Sequence, residues 1–137
     1  MKVKRLAEDA FNIVAVMDGN ECAAEKFLTD GEKTTQANRD GLFKFLEHTA
    51  KHGLQGIPSA WWHEVDKPNG IYEFIKGSLR LFFFKGHGND IAICTVGGRK
   101  KGQKVDKSAV QTSIGWKKSY ETAYSNGTYK VIENEDQ

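Results

Sequence analysis

Apolar positions fall into two periods along the chain. Between residues 71 and 96 they cluster in three short runs, 71–76, 79–84 and 91–96, separated by Gly77-Ser78 and by Gly86-His87-Gly88-Asn89-Asp90. Short apolar runs bounded by turn residues predict strands. Gly at the first central position of a two-residue loop is what a type II′ hairpin turn requires, so the first two runs are expected to pair antiparallel. The longer gap is rich in residues that tolerate positive φ and predicts a looser hairpin. The tight turn places Ile75 opposite Arg80 and Glu73 opposite Phe82. Alternation then puts Tyr72, Phe74, Leu79, Leu81 and Phe83 on one face, read as the core side. Ile71, Glu73, Ile75, Arg80, Phe82 and Phe84 take the other. A half-apolar second face beside a basic loop points to something that binds there.

Elsewhere the period lengthens. Residues 1–9 are polar and are expected to fray, and 11–16 reads as a β-branched first strand ended by Asp18-Gly19-Asn20. Asn20 is a candidate cap for a short helix over 21–28. A longer helix is expected from residue 34 or 35 to His52, stopping at Gly53, with Leu42, Phe45, Leu46 and Thr49 as its stripe. Residues 54–68 read as a loop in which one of Trp61 and Trp62 is core and the other exposed. Asp106 caps a last helix, Val105 and Val110 have hydrophobic-staple spacing, and the stripe is Ala109, Ser113, Trp116, Tyr120 and Ala123. Asn126-Gly127 ends it, and an acidic tail from about residue 127 is expected to be loose. The expected fold is a single α+β domain over 1–137: a small antiparallel sheet, made of the N-terminal strand and a three-stranded meander, with helices packed on one face.

Composition narrows the function classes. A chain of 137 residues is long enough to bury one core. The run 11–17 is too short and too closely followed by Asp18 and Glu21 for a signal peptide or membrane span, so a cytoplasmic protein with no membrane partner is expected. Cys22 and Cys94 show no metal or redox spacing and are read as packed thiols. No zinc motif and no cofactor are expected.

Charge changes the picture more. The net +2 conceals segregation: residues 1–75 hold nine Lys/Arg against twelve Asp/Glu, 76–118 hold ten against two, and 119–137 hold one against four. A middle segment of +8 between acidic flanks is the footprint of a phosphate-binding surface. Lys76, Lys85, Lys100, Lys101 and Lys104 are its candidate RNA contacts. Arg80 and Arg99 are candidate catalytic cations, because a guanidinium stays charged and can hold two phosphate oxygens at once. The plainer reading of Arg80 is an ion pair with Glu73. His87, in the turn, is the candidate proton carrier; its plainer reading is a solvated loop histidine, and His63 has the same two. His48 and His52 are one helical turn apart, but no third ligand follows. Gly97-Gly98 admits close approach of a phosphate before three cations, or is a simple strand exit.

The segment Ile71-Tyr72-Glu73, then Leu79-Arg80-Leu81-Phe82-Phe83-Phe84, then 91–96 running into Gly98-Arg99-Lys100-Lys101 and a closing helix, resembles the RelE/ParE toxin superfamily, nearest its HigB-like, phage-associated branch. The likeness covers about residues 10–125. It implies a toxin of a type II toxin–antitoxin system, held inactive by a cognate antitoxin that is a helix-turn-helix protein. RelE and HigB members are ribosome-associated endoribonucleases that cut mRNA without metal; ParE members inhibit gyrase, and a non-catalytic phage-derived relative that binds nucleic acid or protein is a further alternative. By position, Arg80 matches the arginine opening the middle strand, and Arg99, Lys100 and Lys101 match the basic turn. Where many relatives have Leu-Arg after the glutamate, this chain has Phe74 and Ile75, so one cation is missing unless Lys76 replaces it. Tyr120 and Tyr124 are the candidates for a late acid–base residue.

Overall fold

The computed structural model describes residues 1–100, 102 and 104–133. Two strands open it, β1 (Lys2–Glu8) and β2 (Asn12–Val16), followed by helices α1 (Ala23–Thr29) and α2 (Gln36–His52). Four strands come next: β3 (Trp62–Asp66), β4 (Ile71–Lys76), β5 (Leu79–Phe84) and β6 (Asp90–Arg99). Helix α3 (Lys107–Ser125) and strand β7 (Lys130–Ile132) complete it. All seven strands share one sheet in the order β3-β4-β5-β6-β2-β1-β7. Pairing is antiparallel from β3 through β6 and between β1 and β2, whereas β2 with β6 and β1 with β7 are parallel. The fold is α+β, with a sheet larger than expected and mixed rather than antiparallel.

The meander forms in the expected register. Ile75 pairs with Arg80 and Glu73 with Phe82, and Gly77 carries the positive φ, 58°, that a primed turn demands. Helices α1 and α2 cover the face that holds Phe74, Leu81 and Phe83, against Leu42, Phe45 and Leu46. The α2 stripe therefore does what its period predicts, and Gly53 accepts the end of the helix.

The second face corrects the expectation of helices on one side. Ile71, Phe82 and Phe84 are fully or almost fully buried, packed with Ile93 under Val110 and Tyr120 of α3. Burying each such side chain contributes about 1.5–3 kcal/mol relative to leaving it in water, which is why the apolar stripe of α3 closes over them. The Thr95 and Ser113 hydroxyls meet at 2.7 Å and pin α3 to β6. Asp106 caps α3 as expected, its carboxylate accepting from the Ala109 N–H.

Three local expectations fail. The polar N-terminus is strand β1: Val3 is buried while Lys4 pairs with Glu25, and Arg5 with Glu8 and Glu133, so long charged side chains leave the sheet and stay in contact with it. The first part of the tail is strand β7, which pairs with β1, and the Tyr129 hydroxyl donates to Asp90 at 2.7 Å; residues 134–137 of the expected loose tail lie outside the described residues. The loop over 54–68 contains β3, and both tryptophans are half-buried on the α2 side. Trp61 stacks on Phe45 with centroids 3.9 Å apart, and Trp62 lies against Tyr72 and Phe83. Trp61 ends a 3-10 turn and Trp62 begins a strand, so strand alternation does not run through the pair.

Candidate functional site

Helix α3 does not cover the whole second face. Beyond its N-terminus, a cleft of about 230 Å³ opens over the ends of β3 to β6. Its floor is His63, Val65, Glu73, Arg80, Phe82 and Gly98, and its rim is Arg99, Lys100, Lys104, Val105 and Asp106. Strand register builds the floor. His63 pairs directly with Glu73, and Arg80 pairs with Gly98, so odd positions of β3 and β4 and even positions of β5 project to this side, and the irregularity in β6 between the partners of Leu81 and Phe83 brings Gly98 to it as well. The two glycines have opposite duties. A Cβ on Gly97 would fall on the ring of Phe27, which α1 lays flat on the strand, whereas one on Gly98 would stand in the cleft 3.3 Å from the Asp106 carboxylate.

Glu73 is the centre of the floor. It is 5 % exposed, and its Oε2 lies 3.0 Å from His63 Nε2 and 3.5 Å from Arg80 Nε. Burial pushes its carboxyl above the usual carboxylate range, while His63, Arg80 and Lys100 pull it down and only partly offset that. Arg80 is fixed by the turn beneath it: Nη1 donates to the carbonyls of Gly77 (2.8 Å) and Leu79 (2.9 Å). Its Nε is close enough to Glu73 for an ion pair but is not aligned for a hydrogen bond, and it is buried without another partner. A buried carboxylate facing an incompletely paired guanidinium is a poor way to gain stability, since both groups surrender water for imperfect contacts. His63 is half exposed, so its ring meets both the carboxylate and solvent.

The structure brings together only part of the expected set. Arg80, Lys100 and Lys104 line the cleft. Arg99 borders it as an exposed residue and pairs with Leu79, so alternation sends its side chain from the sheet on the side opposite Arg80. Lys101 lies outside the described residues. Lys76 and Lys85 belong to the α2 side: the Lys76 ammonium sits 5.7 Å from the Phe45 ring, and that of Lys85 sits 5.5 and 4.9 Å from the Trp62 and Tyr72 rings.

His87 is at the other end of β5, seven residues from Arg80 and so about 20 Å away along an extended strand. There it stacks on Tyr124 at 4.3 Å, its Nε2 is 2.9 Å from Glu121, and its backbone N–H donates to the Tyr120 hydroxyl. The candidate tyrosines thus gather around His87 and not in the cleft. Among the described residues, no group of three His, Cys, Asp or Glu side chains is arranged to hold a metal ion.

Sequence reading allowed His63 the same two roles as His87 but favoured His87 as the proton carrier, and it assigned Glu73 only a structural part. The signal for His63 was present: Trp62-His63-Glu64-Val65-Asp66 alternates and is followed by Pro68-Asn69-Gly70, a turn sequence that makes the preceding run a strand paired with β4. No family model matches the chain, and no curated protein matches it.

Proposed function

We propose that the chain is a small toxin of the RelE/HigB kind that cuts mRNA on the ribosome, and that the cleft is where it holds the scissile phosphodiester. The observation that carries this reading is the convergence, in one concave site rimmed by cations of the +8 segment, of a turn-fixed guanidinium, a buried carboxylate and a half-exposed imidazole. RNA cleavage by its own 2′-hydroxyl needs a base for that hydroxyl, an acid for the departing 5′-oxygen, and cations for the charge that develops on the phosphoryl oxygens. Arg80 supplies the last from a fixed position, with Lys100 beside it and Lys104 on the rim to take flanking phosphates, while Arg99 at the edge adds charge from the other side of the sheet. The toxin reading also draws on the arrangement of β2, α1, α2, the β4 to β6 meander and α3, which is the element order the family resemblance presupposes. The expected partners are an antitoxin of helix-turn-helix type, mRNA and the ribosome, in the cytoplasm; no helix among the described residues is long and apolar enough to cross a membrane.

The engagement of Arg80 with Glu73 and two carbonyls favours a second reading, a protein-docking face of the gyrase-inhibiting kind in which nothing is cleaved. One experiment separates the two. Expression from a tight promoter should arrest growth, and the purified chain should cut mRNA on translating ribosomes. Arg80→Lys keeps the charge but loses the paired donors, so cleavage should fall by about one to three powers of ten with RNA binding nearly retained. Arg99→Lys, on the rim, should lose less. Normal growth with soluble protein present removes the toxin reading, and growth arrest with uncut mRNA and inhibited gyrase leaves the docking reading.

A further inference from the structure

Resting on the ribonuclease reading, we propose that His63 is the catalytic base that takes the proton from the 2′-hydroxyl, and that Glu73 is the positioning residue that orients and supports it. Three features of the geometry lead there. His63 and Glu73 are a direct cross-strand pair, so register sets the two side chains next to each other on the cleft side, with Nε2 3.0 Å from Oε2. The carboxylate is buried while the imidazole is half exposed in the cleft, so Glu73 is available to His63 but is screened from water. Nε2 faces Glu73 at 3.0 Å without the alignment of a hydrogen bond, and neither ring nitrogen hydrogen-bonds a described residue, so the ring is open to accept a proton beside the carboxylate.

The proton and electron accounts close. The 2′-O–H bond breaks and its proton passes to the second nitrogen of His63, making an imidazolium that Glu73 stabilises. The 2′-oxygen forms a bond to phosphorus, the phosphorus–5′-oxygen bond breaks, and the 5′-oxygen takes a proton from the ammonium of Lys100 or Lys104. The products are a 2′,3′-cyclic phosphate and a 5′-hydroxyl. Arg80 holds the phosphoryl oxygens throughout, and exchange with water resets the imidazolium and the amine. The charged and titratable groups around the pair are Arg80 from β5, Lys100 and Arg99 from the end of β6, and Lys104 and Asp106 from the segment entering α3. All but Asp106 are cations, and its carboxylate is engaged at the helix cap.

The test is the pH–rate profile of single-turnover cleavage, with binding measured separately on RNA carrying 2′-deoxy at the scissile position. His63→Ala should slow cleavage by about 10²–10⁴-fold, flatten the ascending limb of the profile and leave binding within twofold, about the span that general base catalysis covers. Added imidazole should restore part of the rate, because the vacated position opens to solvent. His63→Gln, which keeps a polar side chain on the edge strand, should behave as His63→Ala does without imidazole. Glu73→Gln should move the ascending limb to lower pH, since a neutral amide no longer supports the imidazolium. A merely structural role for either residue changes the rate and leaves the limb where it was. A His63→Ala profile parallel to that of the parent, or a loss that imidazole does not restore, overturns the assignment and leaves the ribonuclease reading standing. A parent that cuts no RNA removes both.

Discussion

Two histidines in this molecule meet a glutamate at nearly the same distance, His63 with Glu73 at 3.0 Å and His87 with Glu121 at 2.9 Å. They differ in alignment, since only the contact of His87 is a hydrogen bond, and in what lies behind the carboxylate. Glu73 has 6 % of its side chain exposed and Glu121 47 %, while the two imidazoles are about equally open. Water competes fully for the second pair, so it contributes little beyond the ring stacking on Tyr124. The first pair sits on the floor of a cleft, with Arg80 and Lys100 beside it and a carboxyl held above its ordinary range by burial. Contact distance alone does not separate the two pairs; the burial of the carboxylate does.

Removing the carboxylates should break this comparison most visibly. Glu73→Ala deepens the floor of the cleft and leaves an under-paired guanidinium, and should cost about 1–3 kcal/mol, whereas Glu121→Ala should stay within about 0.5 kcal/mol; urea unfolding reads both. Glu73→Gln sharpens the point through pH. Because the folded-state carboxyl titrates above its unfolded value, the folded chain keeps a proton across an interval in which the unfolded chain has released it. Stability contributed by Glu73 is therefore present below the unfolded value and is lost as pH rises through the folded one. Glu73→Gln should abolish that fall, so its unfolding midpoint should gain on that of the parent as pH rises above the ordinary carboxylate range. Equal pH dependence in parent and variant would show that Glu73 is not held above its ordinary range.

How much of this was legible depends on the kind of signal. The β4–β5 register and its two faces were readable because a two-residue turn beginning with Gly77 admits one pairing, and the α2 stripe because Leu42, Phe45, Leu46 and Thr49 recur at the helical period. The diagonal of Glu73 and Arg80 followed from the same register. What failed was long-range or masked by charge. Nothing local to β1 shows that Val3 is buried among Lys2, Lys4 and Arg5, because the strand owes its place to β2 and β7 on either side. The second face looked open because α3, almost thirty residues away in sequence, supplies its cover. His87 looked better than His63 because it stands in a glycine-rich turn beside basic residues, yet sequence distance hides that the turn leaves β5 at the end away from Arg80.

The basic residues extend the contrast to charge, with a smaller expected effect. Lys100 and Lys104 edge the cleft, whereas Lys76 and Lys85 lie on aromatic rings on the α2 side. Neutralising either cleft lysine with Gln should weaken RNA binding and reduce the slope of log affinity against log salt by about 0.7, the share of one phosphate on a single strand. Lys76→Gln and Lys85→Gln should leave the slope unchanged. Equal changes at all four positions would mean that the +8 segment acts as a diffuse cloud of charge and that the cleft is not the footprint.

The smallest expected effect belongs to His87, and it bears on the comparison most directly because the residue has every local attribute of a proton carrier. Its Nε2 touches a carboxylate, its ring is 43 % exposed, and Tyr124 stacks on it. What it lacks is a cation against its ring, since the groups in contact with the ring are Tyr120, Tyr124 and Glu121, and it does not line the cleft that holds Arg80. The backbone N–H of residue 87, and not its imidazole, makes the structural bond to Tyr120, so a side-chain change leaves that bond in place. His87→Gln should therefore change cleavage by less than twofold at every pH and stability by less than about 0.5 kcal/mol, the ordinary range for a surface substitution. The decisive measurement is its pH–rate profile beside that of His63→Ala. A profile flattened by His87→Gln and untouched by His63→Ala would move the proton-transfer site to the tyrosine-rich end of β5, and the cleft would then be left with binding alone.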